Sequence, residues 1–93
     1  MDSRPTLIFF TSQRNGQCRR VEGYLAQVLQ RRHNHETFAI RHVASEERPD
    51  LHERFAVAVT PTLVVVESKA VRGRLVQPRG AEEIRMFLEP WLR

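Results

Sequence analysis

The run Thr6-Leu7-Ile8-Phe9-Phe10 does not alternate between apolar and polar residues. Such a run suits a strand covered on both faces, and so one in the middle of a sheet. It breaks at a polar stretch, Thr11-Ser12-Gln13-Arg14-Asn15-Gly16-Gln17, and apolar residues then return at helical spacing as Cys18, Val21, Leu25, Val28 and Leu29. They form one stripe of a helix expected from about Arg19 to Arg32, facing the sheet. The only cysteine falls in the first turn of that helix, near the positive end of the backbone dipole, where a thiol can be made reactive. Asn15 is the natural N-cap, with its side-chain oxygen able to accept from the amide of Gln17 or Cys18, and Gly16 lets the chain turn tightly before the helix.

The rest of the chain repeats this alternation. Thr37 to Val43 reads as a second strand, and Pro49 suits the first position of a short helix ending around Phe55 to Val57, with Leu51 and Phe55 on one face. Thr62 to Val66 is dense in β-branched residues after Pro61 and reads as a third, buried strand. A polar turn, Glu67-Ser68-Lys69-Ala70, leads to a more exposed edge strand from Val71 to Val76. Ile84, Phe87, Leu88 and Trp91 keep the helical pattern in a last helix, Gly80 to Leu88, which Pro90 stops at Glu89. Strands separated by helices favour parallel right-handed crossovers, and strands joined by a four-residue turn favour a hairpin. The expected fold is α/β: a βαβαββα order, a four-stranded mixed sheet and helices on both faces.

Ninety-three residues with one cysteine suit a single domain over 1–93 that rests on burial alone, because no internal disulfide can form. One cysteine and the absence of an apolar leader or membrane-length segment point to a reducing, cytoplasmic setting. The net charge of +4 sits in residues 1–45, where seven Arg face three acids. Arg14, Arg19 and Arg20 bracket the cysteine and would favour an anionic partner or a thiolate. No nucleic-acid motif accompanies them, so the plainer reading is a solvated basic face.

Phe10-Thr11-Ser12 leading through the turn to Cys18, followed by Val59-Thr60-Pro61-Thr62-Leu63-Val64-Val65-Val66, resembles the thioredoxin family over nearly the whole chain. The resemblance implies a minimal thioredoxin-like fold that lacks the extra front strand and helix of larger members. It also implies that Thr60-Pro61 is the family's cis-proline loop beside the active-site turn. In that family the residue before the proline offers its backbone to an extended substrate peptide.

The departures bear on function. Disulfide-exchanging members carry Cys-x-x-Cys, the first thiol being the nucleophile and the second the buried resolver. Here the motif is Asn15-Gly16-Gln17-Cys18, so only the resolver's position keeps sulfur, and dithiol turnover within one chain is excluded. The family's buried acid falls on Phe9, and a common groove glycine falls on Gln77. Two functional classes follow. One is a degenerate, peptide- or protein-binding module using Asn15, Gly16, Gln17, Val59, Thr60 and Pro61. The other is a monothiol redox enzyme or sensor in which Cys18 reacts with a disulfide or a peroxide. Free cysteine is a commonly buried residue, and Cys18 lies on the apolar stripe, which favours the first.

No cofactor is expected. His33-Asn34-His35 resembles a two-ligand metal site, but no third ligand lies near it and a helix-exit loop is ordinarily solvated. His42 and His52 read as surface or internally satisfied side chains. Iron-sulfur binding in monothiol glutaredoxins uses the first cysteine of the motif, which is Asn15 here.

Overall fold

A computed structural model describes residues 4–93, with His35 described by its backbone alone. The polar start at 1–3 and the His35 side chain, half of the proposed two-histidine pair, lie outside the described residues. The element order is β1 (Thr6–Thr11), α1 (Gln17–Gln30), a 3-10 turn (Arg31–Glu36), β2 (Ala39–Ala44), α2 (Pro49–Arg54), β3 (Thr62–Glu67), β4 (Ala70–Val76) and α3 (Ala81–Leu88). The sheet order is β2-β1-β3-β4. β1 pairs parallel with β2 and antiparallel with β3, and β3 pairs antiparallel with β4. The fold is the expected α/β arrangement with a mixed sheet.

The unbroken apolar run of β1 is explained by its neighbours. Leu7 and Phe9 point to one face, where they join Leu63 and Val65 of β3, Val21, Leu25, Val28 and Leu29 of α1, and Ile84 and Leu88 of α3. Ile8 and Phe10 point to the other, where they join Val43 and Val64, with Leu51 of α2 and Phe55 just after it packed against them. A period of two therefore supplies both cores, and no position in the run can be polar. Phe87 and Trp91 pack against the larger core. Phe87 lies so near Gly73 of β4 that a Cβ there would meet its ring at 3.1 Å.

Several boundaries differ from the sequence reading for local reasons. α1 begins at Gln17 and ends at Gln30, about two residues earlier than expected at each end; it stops there because Arg31 turns to extended backbone (ψ 131°) and Arg32 and His33 take left-handed values (φ 53° and 58°) that an α-helix cannot continue. β2 starts at Ala39, not Thr37: the Thr37 amide and hydroxyl are both given to Asn34, at 3.0 Å and 2.9 Å. Asn34 is not solvated. It is 2 % exposed, donates to the carbonyl of Arg31 at 2.7 Å, and accepts from the amide of Arg93 at 2.8 Å. Its amide thus ties the exit of α1 to the last residue of the chain. His52 is also buried, with Nε2 bonded to the carbonyl of Val43 at 3.1 Å, whereas His42 is exposed at the edge of the Phe9 ring.

Candidate functional site

The turn between β1 and α1 is held from two sides. Within it, the Asn15 amide donates to the Ser12 carbonyl at 3.2 Å, and the Cys18 amide donates to the Asn15 carbonyl at 3.2 Å. From outside, Glu46 in the β2–α2 loop accepts the Ser12 hydroxyl at 2.8 Å and the Gln13 amide at 3.1 Å. These donors, the Gln13 amide first and the Ser12 hydroxyl second, hold the Glu46 carboxyl well below its ordinary value of 4.5, at about 2. Glu46 reads in the sequence as one acid of a polar loop, and nothing local marks it as a brace for a turn more than thirty residues earlier.

Asn15 has two roles. Its Oδ1 accepts the amide of Gln17 at 2.9 Å, and its Nδ2 donates to the carbonyl of Thr60 at 2.6 Å. Since an amide N–H only donates and a carbonyl only accepts, these two partners fix which end of the side chain is which. The helix's N-cap residue is Gly16 and not Asn15, so Asn15 satisfies the first helical amide from one position further out. Gly16 itself takes ordinary right-handed values (φ −64°, ψ −20°), and a Cβ there would meet nothing within 4 Å. The tight-turn role expected of it is therefore not needed, because the turn is closed by Ser12 and Asn15.

The opposing loop is Val59-Thr60-Pro61, with a cis Thr60–Pro61 peptide. Each of its carbonyls is already engaged. Val59 accepts from the Thr62 hydroxyl at 2.7 Å, and Pro61 accepts from the Gln77 amide at 2.8 Å. Thr60 accepts twice, from Asn15 Nδ2 at 2.6 Å and from Gln77 Nε2 at 3.3 Å. Gln77 reaches both carbonyls from the β4–α3 turn with a left-handed backbone (φ 48°). Among the described residues, no acceptor meets the Thr60 amide.

Two shallow grooves lie along the turn and the Pro61 loop. One, of about 510 Å³, runs past Gln17, Pro61, Val76, Gln77 and Pro78. The other, of about 480 Å³, includes Ser12, Asn15, Gly16, Cys18, Arg19 and His42. The structure thus brings Asn15, Gln17, Thr60 and Pro61 together, and Cys18 lines the second groove and not the one beside Pro61. The thiol is 7 % exposed, and its sulfur accepts the Ser12 amide at 3.4 Å. Val59 is exposed and lines neither groove, while Arg14, Arg19 and Arg20 all project into solvent. Phe9, fully buried, packs in the larger core. Among the described residues, no three His, Cys, Asp or Glu side chains gather where a metal could be held, and no helix is long and apolar enough to cross a membrane.

The sequence model of the Thioredoxin family matches residues 1–90. No curated protein sequence matches the chain. Among solved structures, Trxlp from Edwardsiella tarda EIB202 is similar with a TM-score of 0.83 and 15% identity, over 99% of this chain and 85% of that one. Mitochondrial thioredoxin 3 from Saccharomyces cerevisiae, in its oxidized form, is similar with a TM-score of 0.78 and 18% identity, over 96% and 80% of the two chains. Fasciola hepatica thioredoxin is similar with a TM-score of 0.79 and 14% identity, over 97% and 83%.

Proposed function

The chain belongs to the thioredoxin family and is a thioredoxin-like domain related to thiol-disulfide oxidoreductases, and from that premise we propose that it is a degenerate member that binds an extended peptide or protein segment at the Thr60–Pro61 loop. In this reading residues 1–93 act as one domain in a reducing, cytoplasmic setting. Asn15 replaces the nucleophile, and Cys18 is a small core residue. The observation that carries the reading is the Thr60 amide, which meets no acceptor among the described residues and belongs to a half-buried residue next to Pro61, itself in the wall of a groove. A backbone donor left open at a surface groove is what a passing chain needs for strand-like pairing.

The test is selection from a random dodecapeptide display library, followed by titration of the ¹⁵N-labelled protein with the selected peptides. Binding should move the Thr60 amide resonance more than those on β2 or α2. Absence of any selected peptide, or shifts confined to other surfaces, would refute the proposal.

One observation favours the monothiol alternative, in which Cys18 reacts with a disulfide or peroxide. The sulfur accepts the Ser12 amide at the wall of a groove that also holds Arg19 and His42. Native reactivity of the thiol, treated below, decides between the two.

A further inference from the structure

The structure also bears on what kind of segment the groove would take, an inference that rests on the peptide-binding reading. An extended peptide residue pairing with Thr60 in strand fashion makes two bonds: its carbonyl accepts the Thr60 amide, and its own N–H donates to the Thr60 carbonyl. That carbonyl has two lone pairs, and Asn15 Nδ2 and Gln77 Nε2 already occupy both. The neighbouring carbonyls of Val59 and Pro61 are engaged as well. The loop therefore presents a donor at Thr60 and a filled acceptor beside it. An ordinary peptide N–H brought against this carbonyl must displace a side-chain amide or stay unpaired, and an unpaired buried donor is costly.

We propose that Asn15 and Gln77 make the groove selective for segments that place a proline opposite Thr60. Proline keeps the carbonyl that the Thr60 amide needs and has no N–H to satisfy. The wall beside the site suits its ring: Pro61, Val76 and Pro78 line the groove next to Gln77. Gln77 places its amide there from a left-handed backbone at φ 48°, a conformation more natural to glycine.

The experiment repeats the dodecapeptide selection on the parent, on Gln77→Gly, and on the double variant Asn15→Ala/Gln77→Gly. Gln77→Gly fits the left-handed position and frees one lone pair without touching the helix start, so it carries the test even where the double variant does not fold. Peptides selected on the parent should share a proline at one fixed position. Replacing that proline by alanine should weaken binding to the parent at least about tenfold, the scale of one unpaired N–H. On Gln77→Gly the same replacement should cost less than about threefold, since the alanine N–H finds the freed acceptor.

Selected peptides with no fixed proline, or an equal proline-to-alanine loss on parent and variant, overturn the proposal while leaving peptide binding intact. Binding by the variants alone overturns it too, because the two side chains would then close the groove and not select among ligands. If no peptide moves the Thr60 amide in any of the three proteins, the peptide-binding reading itself fails.

Discussion

Asn15→Cys places a second sulfur three residues before Cys18, recreating Cys-Gly-Gln-Cys at the start of α1. The substitution removes two hydrogen bonds, the Gln17 amide to Oδ1 at 2.9 Å and Nδ2 to the Thr60 carbonyl at 2.6 Å. Loss of the first costs about 0.5–2 kcal/mol, as for other caps. Loss of the second costs about 0.5–1.5 kcal/mol, without an orphan penalty because Gln77 still donates to the same carbonyl. The reduced variant should therefore be roughly 1–3.5 kcal/mol less stable than the parent. Glutathione disulfide, taking two electrons and two protons from the thiols to become two glutathiones, should close a short loop whose chain-entropy contribution is about 2 kcal/mol. For a domain of this size each kcal/mol shifts Tm by about 4–8 °C, so oxidised and reduced variant should melt about 8–16 °C apart. Thiol counting and thermal unfolding with and without reductant read both quantities, and a disulfide-reduction assay reads the activity gained. That gain should be partial, because buried Phe9 stands where the family places its proton-accepting acid. Two free thiols remaining in a folded variant after oxidation would mean that Asn15 does not occupy the nucleophile's position.

Cys18 should react with an aromatic disulfide reagent at least about tenfold more slowly in the native protein than in denaturant, because local opening must precede attack on a sulfur that is 7 % exposed; equal rates would favour the monothiol alternative. Glu46 should titrate near pH 2 in an NMR carboxyl titration. Because its pKa is lowered on folding, the tether to Ser12 and Gln13 is complete above 4.5 and is lost as pH falls through about 2; a midpoint near 4.5 would show that it does not hold the turn. Asn34→Ala should destabilise the protein by about 2–4 kcal/mol in urea unfolding, since it strips partners from Arg31, Thr37 and Arg93 together; a loss within about 0.5 kcal/mol would fit a solvated loop.

The sheet and the faces of the helices were legible because their signals are periodic and local. Every buried residue of α1, from Cys18 to Leu29, lies on the stripe that the three-and-four spacing predicts. What the sequence hid are polar contacts between distant segments. Asn34 sits in a run of histidine and arginine that reads as a wet helix exit, yet it is buried and bonded to Arg93, fifty-nine residues later. Glu46 and Ser12 are thirty-four residues apart, and each looks like an ordinary loop residue. The left-handed value at Arg32 was illegible too, since arginine does not announce positive φ. At Gln77 the sequence reading found an unusual residue in a position where glycine is common, but not the two bonds that the residue makes there.

Those bonds, with Asn15, give the turn a polar role that a sulfur at position 15 could not fill. A thiol at position 15 can cap weakly or react, but it cannot at once accept from Gln17 and donate to Thr60, because that needs an acceptor and a donor at the two corners of one planar amide. Gln77 adds a second amide from a different turn to the same carbonyl. Three connections, β1–α1, the Thr60–Pro61 loop and β4–α3, therefore meet at one oxygen, fixed by neutral hydrogen bonds that no change of redox state breaks. In the proposed reading, such a junction pre-organises the Thr60–Pro61 loop for a chain that docks beside it. The Thr60 amide is, in that reading, the donor that a passing chain meets, on a residue whose carbonyl Asn15 and Gln77 hold in place.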